Sequence, residues 1–258
     1  MEILQLDVSG RMAHFRKYYA NNTAMSFSIP PRTTVIGMLA GLLGRPRDSY
    51  YEEFASAHIR IGIRVMQPIK KTFHRVNLLR VTGQSDFSGA KGRIQTPFEI
   101  VSGMNISRDE VVYRIYVSCA DTGQATFDEL KQAILNRQQT YALTFGTANF
   151  TASIRSGILV DATQICLLQQ TAFVTIHSAI PSEAVDSLDF DRQSTTDTLQ
   201  SIEEELMPAD FIANNNRELS RMNRVLFSTT ANGIQVKLNR PFYALTQEDT
   251  VQHILFLE

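Results

Sequence analysis

Tryptophan is missing from this chain, and cysteine occurs only twice. Cys119 and Cys166 stand alone without CxxC spacing, which excludes a disulfide framework and a cysteine zinc knot. Two buried thiols in a reducing cytosol are the expectation. The histidines His14, His58, His74, His177 and His253 show no HxH or HxxxH spacing, so no metal site is expected. No Walker A sequence and no GxSxG elbow occurs, so no cofactor is expected either. A membrane span needs about 18 or more consecutive apolar residues, and no such run is present. The opening Met1-Glu2-Ile3-Leu4-Gln5-Leu6 lacks a basic region ahead of a long apolar stretch. No signal peptide and no membrane partner are therefore expected, and the expected location is cytoplasmic.

What is present is apolar and unevenly charged. Of 258 residues, 43% are hydrophobic and 20% charged, enough for a sizeable core in one large or two small domains. The net charge of −1 argues by itself against a nucleic-acid binder. Its distribution argues the other way. Residues 1–120 carry 16 Lys and Arg against 9 Asp and Glu, whereas residues 121–258 carry 9 against 17. The first part suits a polyanion, and the acidic part is expected to turn away from it or toward a basic protein partner.

Periodicity predicts a first strand over Ile3 to Val8. A helix follows to about Leu43, capped by Thr33 or Thr34 and ended by Gly44 and Pro46. Gly37, Gly41 and Gly44 fall on one side of it, where a sheet or a ligand can approach closely. Ser49-Tyr50-Tyr51-Glu52 has capping-box spacing and predicts a short helix. From His58 to Met66 the chain alternates, with Ile59, Ile61, Ile63 and Val65 on one face. Val111 to Cys119 and Thr151 to Val160 are further strands. Thr126-Phe127-Asp128-Glu129 predicts the start of a second helix with a Phe127, Leu130, Ile134 stripe. Strand, helix, strand, long insertion, strand, helix, strand is the split βαβ plan of ferredoxin-like and RRM domains. The expected fold class is thus α+β. An RRM-like domain spans residues 1–160, with a protruding hairpin inserted at about 67–110, and a mostly β subdomain spans 161–258. In the latter, Asn232-Gly233 predicts a hairpin between Val225–Thr229 and Ile234–Leu238. The acidic stretch Glu183 to Leu206 is expected to be a loop leading into a short helix.

Three segments are candidates for RNA contact. His14, Arg16, Lys17, Tyr18, Arg32, Thr33 and Thr34 place cations, aromatics and hydroxyls just ahead of an apolar helix. A helix N-terminus attracts anions through its unpaired N–H groups. The insertion carries Lys70, Lys71, His74, Arg75, Arg93 and Gln95, in which basic groups suit phosphates and aromatic or amide groups suit exposed bases. Its glycine-rich Gly83–Gly92 stretch reads as a flexible tip. Gly146 and Asn149 lie in the turn that joins the second helix to the last strand, where a glycine lets a backbone approach a phosphate. The strand Val112-Tyr113-Arg114-Ile115-Tyr116-Val117 lacks the RNP1 pattern, so stacking of RNA on the sheet face is not expected.

Several of these segments read together. Ala13-His14-Phe15-Arg16, Pro30-Pro31-Arg32-Thr33-Thr34 with Gly37, Arg93-Ile94-Gln95-Thr96-Pro97-Phe98-Glu99, Tyr113-Arg114-Ile115-Tyr116 and Phe145-Gly146 spread over about the first 160 residues. The set resembles the CRISPR-associated RAMP proteins of the Cas-five type, in particular their type I-B branch. The resemblance implies an RRM-type domain with a thumb hairpin at the foot of a type I surveillance complex (Cascade) in antiviral defence. It implies a grip on the 5′ handle of the guide RNA, contacts to the backbone subunit and the large subunit, and target DNA engaged only indirectly. One branch of that family cuts precursor guide RNA itself. The alternative function is therefore a metal-independent endoribonuclease, with His74, Lys71 (or Lys70) and Tyr116 (or Tyr113) as the groups to supply it. A protein-only scaffold is the third reading.

Overall fold

The computed structural model describes residues 1–258 apart from 21–22, 191–200, 213–216 and 248–249. Its longer elements, in chain order, begin with β1 (Ile3–Gly10), α1 (Arg32–Leu42), β2 (Ile59–Val65), β3 (Ile69–Leu79), β4 (Arg93–Gly103), β5 (Val111–Cys119), α2 (Gln124–Leu135) and β6 (Thr151–Val160). The C-terminal part adds β7 (Ile165–Leu168), β8 (Val174–Ile176), β9 (Val185–Leu188), β10 (Ile202–Phe211), β11 (Leu219–Ser228), β12 (Ile234–Leu238), β13 (Phe242–Gln247) and β14 (Thr250–Ile254). Strands account for 48% and helices for 16% of the described residues, so the balance lies further toward β than the α+β expectation.

The central sheet has the order β2-β5-β1-β6, with the short Leu143–Thr144 strand at the far edge, and every pairing is antiparallel. Alternation decides which face each side chain takes. Leu4, Leu6 and Val8 stand opposite Val117, Ile115 and Tyr113, and all are buried in the same core as Ile59, Ile61, Ile63 and Val65. Both helices add to that core, α1 through Val35, Ile36 and Leu39 and α2 through Phe127, Leu130 and Ile134. A Cβ on Gly157 would collide with the Ile134 side chain, so glycine there lets α2 lie flush on β6. The other face buries Ile3, Tyr116 and Val160 under Leu245, Ile254 and Phe256 from the C-terminal part. The main core also takes in Ala179, Met207, Val225, Phe227 and Leu257, so it continues past residue 160.

β3 and β4 pair in unbroken register from Ile69↔Gly103 to Leu79↔Arg93. The Gly83–Gly92 stretch between them is built rather than loose. A 3₁₀ turn, Gln84–Ser88, presents Asp86, whose carboxylate accepts from the Thr82 N–H (2.7 Å), the Gly83 N–H (2.9 Å) and Lys91 Nζ (3.0 Å). Those donors hold Asp86 near a pKa of about 2, with the lysine contact the largest cause.

Several local expectations are corrected. α1 begins at Arg32 with Pro31 at its N-cap and no side-chain cap; the Pro31 carbonyl instead accepts the first N–H bonds of the helix, from Thr34 and Val35. The Ser49 box forms turns over residues 51–58 instead of a helix, and Ser49 Oγ bonds the Pro46 carbonyl instead. α2 starts at Gln124, so Thr126 sits inside it and donates to Glu53 at 3.0 Å. Cys166 is exposed on an edge strand and Cys119 is half-buried. The Asn232-Gly233 turn does not close a hairpin. β12 pairs with β8 and β9, while β11 pairs with β10. The helix expected before Leu206 would fall on residues 191–200, outside the described residues; Val185–Leu188 and Ile202–Phe211, expected as loop in part, are strands.

β8 is tied to β14 through two histidines. The His177 N–H donates to the His253 carbonyl (2.8 Å), and His177 Nδ1 accepts from the His253 N–H (3.1 Å). Burial, helped by the charge of Arg64, pulls His177 down to about 4. The unfolded imidazole titrates near 6.5, so the stability held by neutral His177 is complete above that pH and declines as pH falls toward 4. Urea unfolding is expected to show a loss of about 2 kcal/mol between pH 7 and pH 5. His177→Gln should flatten that slope, and an unaltered slope would remove His177 as its source.

Candidate nucleic-acid interface

The residues expected at the start of α1 divide into two groups. His14 is buried, its ring stacked on Phe98 at 4.0 Å between centroids and its Nδ1 2.8 Å from the Glu99 carbonyl. Burial lowers its pKa, so it is neutral at pH 7. Lys17 is buried as well, with Nζ 2.5 Å from Glu205 and 5.3 Å from the centre of the Phe27 ring. Burial opposes its charge, and the Glu205 carboxylate outweighs that and raises its pKa. Arg16 and Tyr18 face solvent, and among the described residues Arg16 has no ion-pair partner.

Arg32 points inward, away from any phosphate. It is 1% exposed, and all five guanidinium N–H groups are committed. Nε donates to the Glu258 carboxylate, and Nη1 to Asp210 (2.8 Å) and the Ala209 carbonyl (3.2 Å). Nη2 donates to the carbonyls of Phe54 (2.8 Å) and Ile59 (2.7 Å). Asp210 also accepts from Ser56 Oγ (2.6 Å) and Arg221 Nε (3.0 Å), and Glu258 accepts from the Ile61 N–H (2.9 Å). Burial raises the pKa of Glu258 against the downward pull of Arg32. The first turn of the helix is also less open than expected, because the N–H groups of Thr34 (2.9 Å) and Val35 (3.1 Å) bond the Pro31 carbonyl.

Beside that turn lies a groove of about 400 Å³. Thr33, Thr34, Gly37 and Gly41 form its floor, Thr144 and Gly146 one bank, and Tyr50, Tyr51, Phe211 and Arg217 line the rest. A Cβ on Gly41 would meet nothing within 4 Å, so that glycine leaves open space. Gly146 has φ +90°, and a Cβ there would collide with the His14 carbonyl, so only glycine fits this bank. The Phe145 N–H bonds the Phe150 carbonyl (2.7 Å), which closes the turn and leaves Asn149 exposed on it. Arg217 is anchored by Nε on Asp48 (2.8 Å), a carboxylate that Tyr51 also bonds. The structure thus unites Thr33, Thr34 and Gly146 from two of the predicted segments. Tyr50, Tyr51, Phe211 and Arg217 had escaped the sequence reading, for no local motif marks residues that meet only through the fold.

On the β3–β4 hairpin, Arg75, Arg93 and Gln95 are exposed and share one face, with Asn77 directly opposite Gln95. Lys70 and His74 lie on the other face, where exposed His74 bonds the Thr72 hydroxyl at 3.1 Å. Lys71 is drawn toward Glu203 (3.3 Å) and Glu205 (3.7 Å). The acidic C-terminal half therefore does not simply turn away: through Glu203, Glu205, Asp210 and Glu258 it supplies counter-charges to Lys17, Lys71 and Arg32.

The three groups of the nuclease alternative are not brought together. Positions 71 and 74 project from opposite faces of β3. Tyr116 is wholly buried, its hydroxyl donates to Gln252 (2.8 Å), and burial raises its pKa. Tyr113, also buried and raised by burial, donates to the Ser28 carbonyl (2.5 Å). Among the described residues no cluster of His, Cys, Asp and Glu suits a metal ion, and no helix is long and apolar enough to cross a membrane.

With this geometry in place, comparison with known proteins identifies the class. The family described as CRISPR-associated protein (Cas_Cas5) matches residues 3–164, and the chain belongs to that family. Among solved structures it is similar to a CRISPR protein from Archaeoglobus fulgidus (TM-score 0.54, 12% identity, 98% of each chain covered). It is also similar to a chain of a CRISPR RNA-guided surveillance complex (TM-score 0.51, 12% identity, covering 90% of this chain and 91% of that one). At such identity the likeness speaks for the fold. No curated protein matches.

Removing Arg32 leaves the buried Glu258 carboxylate without its cation and Asp210 with Arg221 alone, and breaking such a buried pair typically costs about 3–5 kcal/mol. Arg32→Met should lower the unfolding free energy measured in urea by that amount, and Arg32→Lys should recover only part of it, because an ammonium cannot fill five directed bonds. A loss under about 1 kcal/mol for Arg32→Met would show that the cluster does not hold the fold.

Proposed function

We propose that this chain is the non-catalytic subunit of a type I CRISPR surveillance complex that holds the 5′ handle of the guide RNA. One observation carries the reading: Thr33, Thr34 and Gly146, distant in sequence, line one groove together with the half-buried Tyr50 and the Asp48-anchored Arg217, an aromatic ring and a guanidinium of the kinds that contact unpaired RNA. Family membership and the likeness to a surveillance-complex chain support it. Residues 1–160 are taken as an RRM-like, RNA-facing unit, and 161–258 as the part that braces it within the cytoplasmic assembly. Arg16, Tyr18 and Asn149 extend the groove's contacts. The hairpin closes over the strand as a thumb with Arg75, Arg93 and Gln95 on one face and Lys70 and His74 on the other. Lys17, Lys71, Arg32 and His14 position this surface from within. The backbone and large subunits are the protein partners, and target DNA is engaged through them.

Each phosphate contact to a single strand contributes roughly 0.7 to the slope of log K against log salt. The triple variant Arg16→Ala, Arg75→Ala, Arg93→Ala should reduce the magnitude of that slope by roughly two for handle RNA. Lys17→Ala should leave the slope nearly untouched and lower the melting temperature instead. The reverse pattern would place the phosphates on the buried lysine and sink this arrangement.

The endoribonuclease alternative requires His74, Lys71 and Tyr116 at one phosphate, and opposite strand faces and full burial keep them apart. Labelled repeat RNA incubated with the chain in EDTA should remain intact on a denaturing gel while still binding. A single specific product that vanishes in His74→Ala would reverse the choice between the two readings.

A further inference from the structure

The central sheet has two edges, and the chain treats them differently. The outer side of β2 is sealed. There the Leu257 N–H bonds the Ile61 carbonyl (2.9 Å), the Ala179 N–H bonds the Ile63 carbonyl (2.6 Å), and the Ile61 N–H bonds the Glu258 carboxylate (2.9 Å). At the opposite edge the short Leu143–Thr144 strand pairs only with Thr151 and Ala152 of β6. Over residues 153–160 the outer side of β6 has no backbone partner among the described residues. A cavity of about 490 Å³ lies along this open stretch, between residues 153–158 and the last turn of α2 with the segment 137–139 that follows it. Edge strands are normally blunted by charge, proline or a bulge, because their unpaired N–H and C=O groups recruit other chains. Here a bulge does so at one place only. Asp7 and Val8 stand opposite Ser156 and Ile154, which leaves Arg155 as the extra residue, ion-paired to Glu110. Beyond it, Ser156-Gly157-Ile158-Leu159-Val160 carries neither charge nor proline, and its register with β1 is unbroken. Ile158 is 41% exposed, and Leu135 across the groove is 47% exposed.

An open strand edge beside a helix favours an extended backbone: main-chain bonds to the strand hold it, and alternate side chains reach the helix. We propose that an extended segment of a protein partner adds to β6 as a further strand along residues 156–160. Gly157 faces Ile134 of α2, so Ile158 faces the other way. Apolar side chains on the helix-facing side of the added strand rest on Ile134 and Leu135, and those on its other side flank Ile158. The charged groups that line the groove are both arginines, Arg137 and Arg155, and Arg155 already has Glu110. Arg137 is exposed and has no ion-pair partner among the described residues, so the incoming strand carries an acidic residue to meet it. Single-stranded RNA fits less well, because the five pairing residues offer its phosphates no cation. The surface makes no use of the handle groove, so this proposal and the RNA reading fail separately.

The test follows amide exchange of the ¹⁵N-labelled full chain by NMR. The probe is the peptide acetyl-Val-Thr-Val-Glu-Val-Thr-amide. Its controls are the same peptide with every backbone nitrogen methylated, the same peptide with Lys in place of Glu, and the dinucleotide pUpU. The Glu peptide should slow exchange saturably at the outward-facing amides of residues 156–160 and leave those of β2 unchanged. Methylation should weaken binding roughly tenfold or more, since the peptide's own N–H bonds to the strand are lost. The Lys peptide should bind roughly two- to fivefold more weakly, as for an exposed ion pair. Ile158→Lys places a charge on the edge and should abolish the protection, with a melting temperature within about two degrees of the parent. Arg137→Glu leaves the strand untouched and should reverse the preference toward the Lys peptide. No saturable protection, equal binding of the methylated peptide, an unchanged preference in Arg137→Glu, or protection by pUpU instead would each overturn the proposal. A concentration-dependent dimer of the free chain with protected amides at 156–160 would give the edge to a second copy and end it too.

Discussion

The guanidinium of Arg32 is the constraint on which the rest of this structure depends. It stands at the first turn of α1, beside the groove, and it is bound at once to the turn before β2, to β10 and to the last residue, Glu258. A cation buried this deeply is tolerable only when each donor and each countercharge is matched. Here Arg32 and Arg221 balance Asp210 and Glu258. That match ties the N-terminal sheet to the C-terminal strands, and it fixes where the helix begins. Thr33 and Thr34 line the groove because Arg32, one residue earlier, is turned into the core.

Charge placement follows from the same arrangement. Lys17 and Lys71 sit where β10 brings Glu203 and Glu205, while Arg16, Arg75 and Arg93 remain on the surface. The basic half is thus sorted into cations that hold the molecule together and cations left for a polyanion. A buried or half-buried pair is screened much less by salt than exposed charges, whose interactions fade within about 8–10 Å. The two groups therefore answer differently to ionic strength.

Much of the fold was legible in the chain. The alternation of Ile59, Ile61, Ile63 and Val65 and the Val111–Cys119 strand follow from period-two burial, which is a local property. The paired strands of the insertion were readable for the same reason, although its tip is an ordered turn around Asp86. The site was only half legible. A cation ahead of a helix looks alike whether it meets a phosphate or, as Arg32 does, carboxylates 178 and 226 residues further along the chain. Helix starts slipped because Pro31 and Gly123, rather than the hydroxyl residues nearby, open the two helices. Tyr50, Phe211 and Arg217 gave no signal, since only tertiary packing makes them neighbours.

The most direct check is to map where RNA touches the chain. Ultraviolet cross-linking of the complex assembled on its guide RNA, followed by mass spectrometry of the peptides, reads those contacts without mutation. The account predicts cross-links at Tyr18 or Tyr50 and in the Thr144–Asn149 turn, with further ones on the hairpin near His74 and Gln95. Cross-links confined to residues 161–258, or none in this chain while its neighbours are labelled, would contradict it.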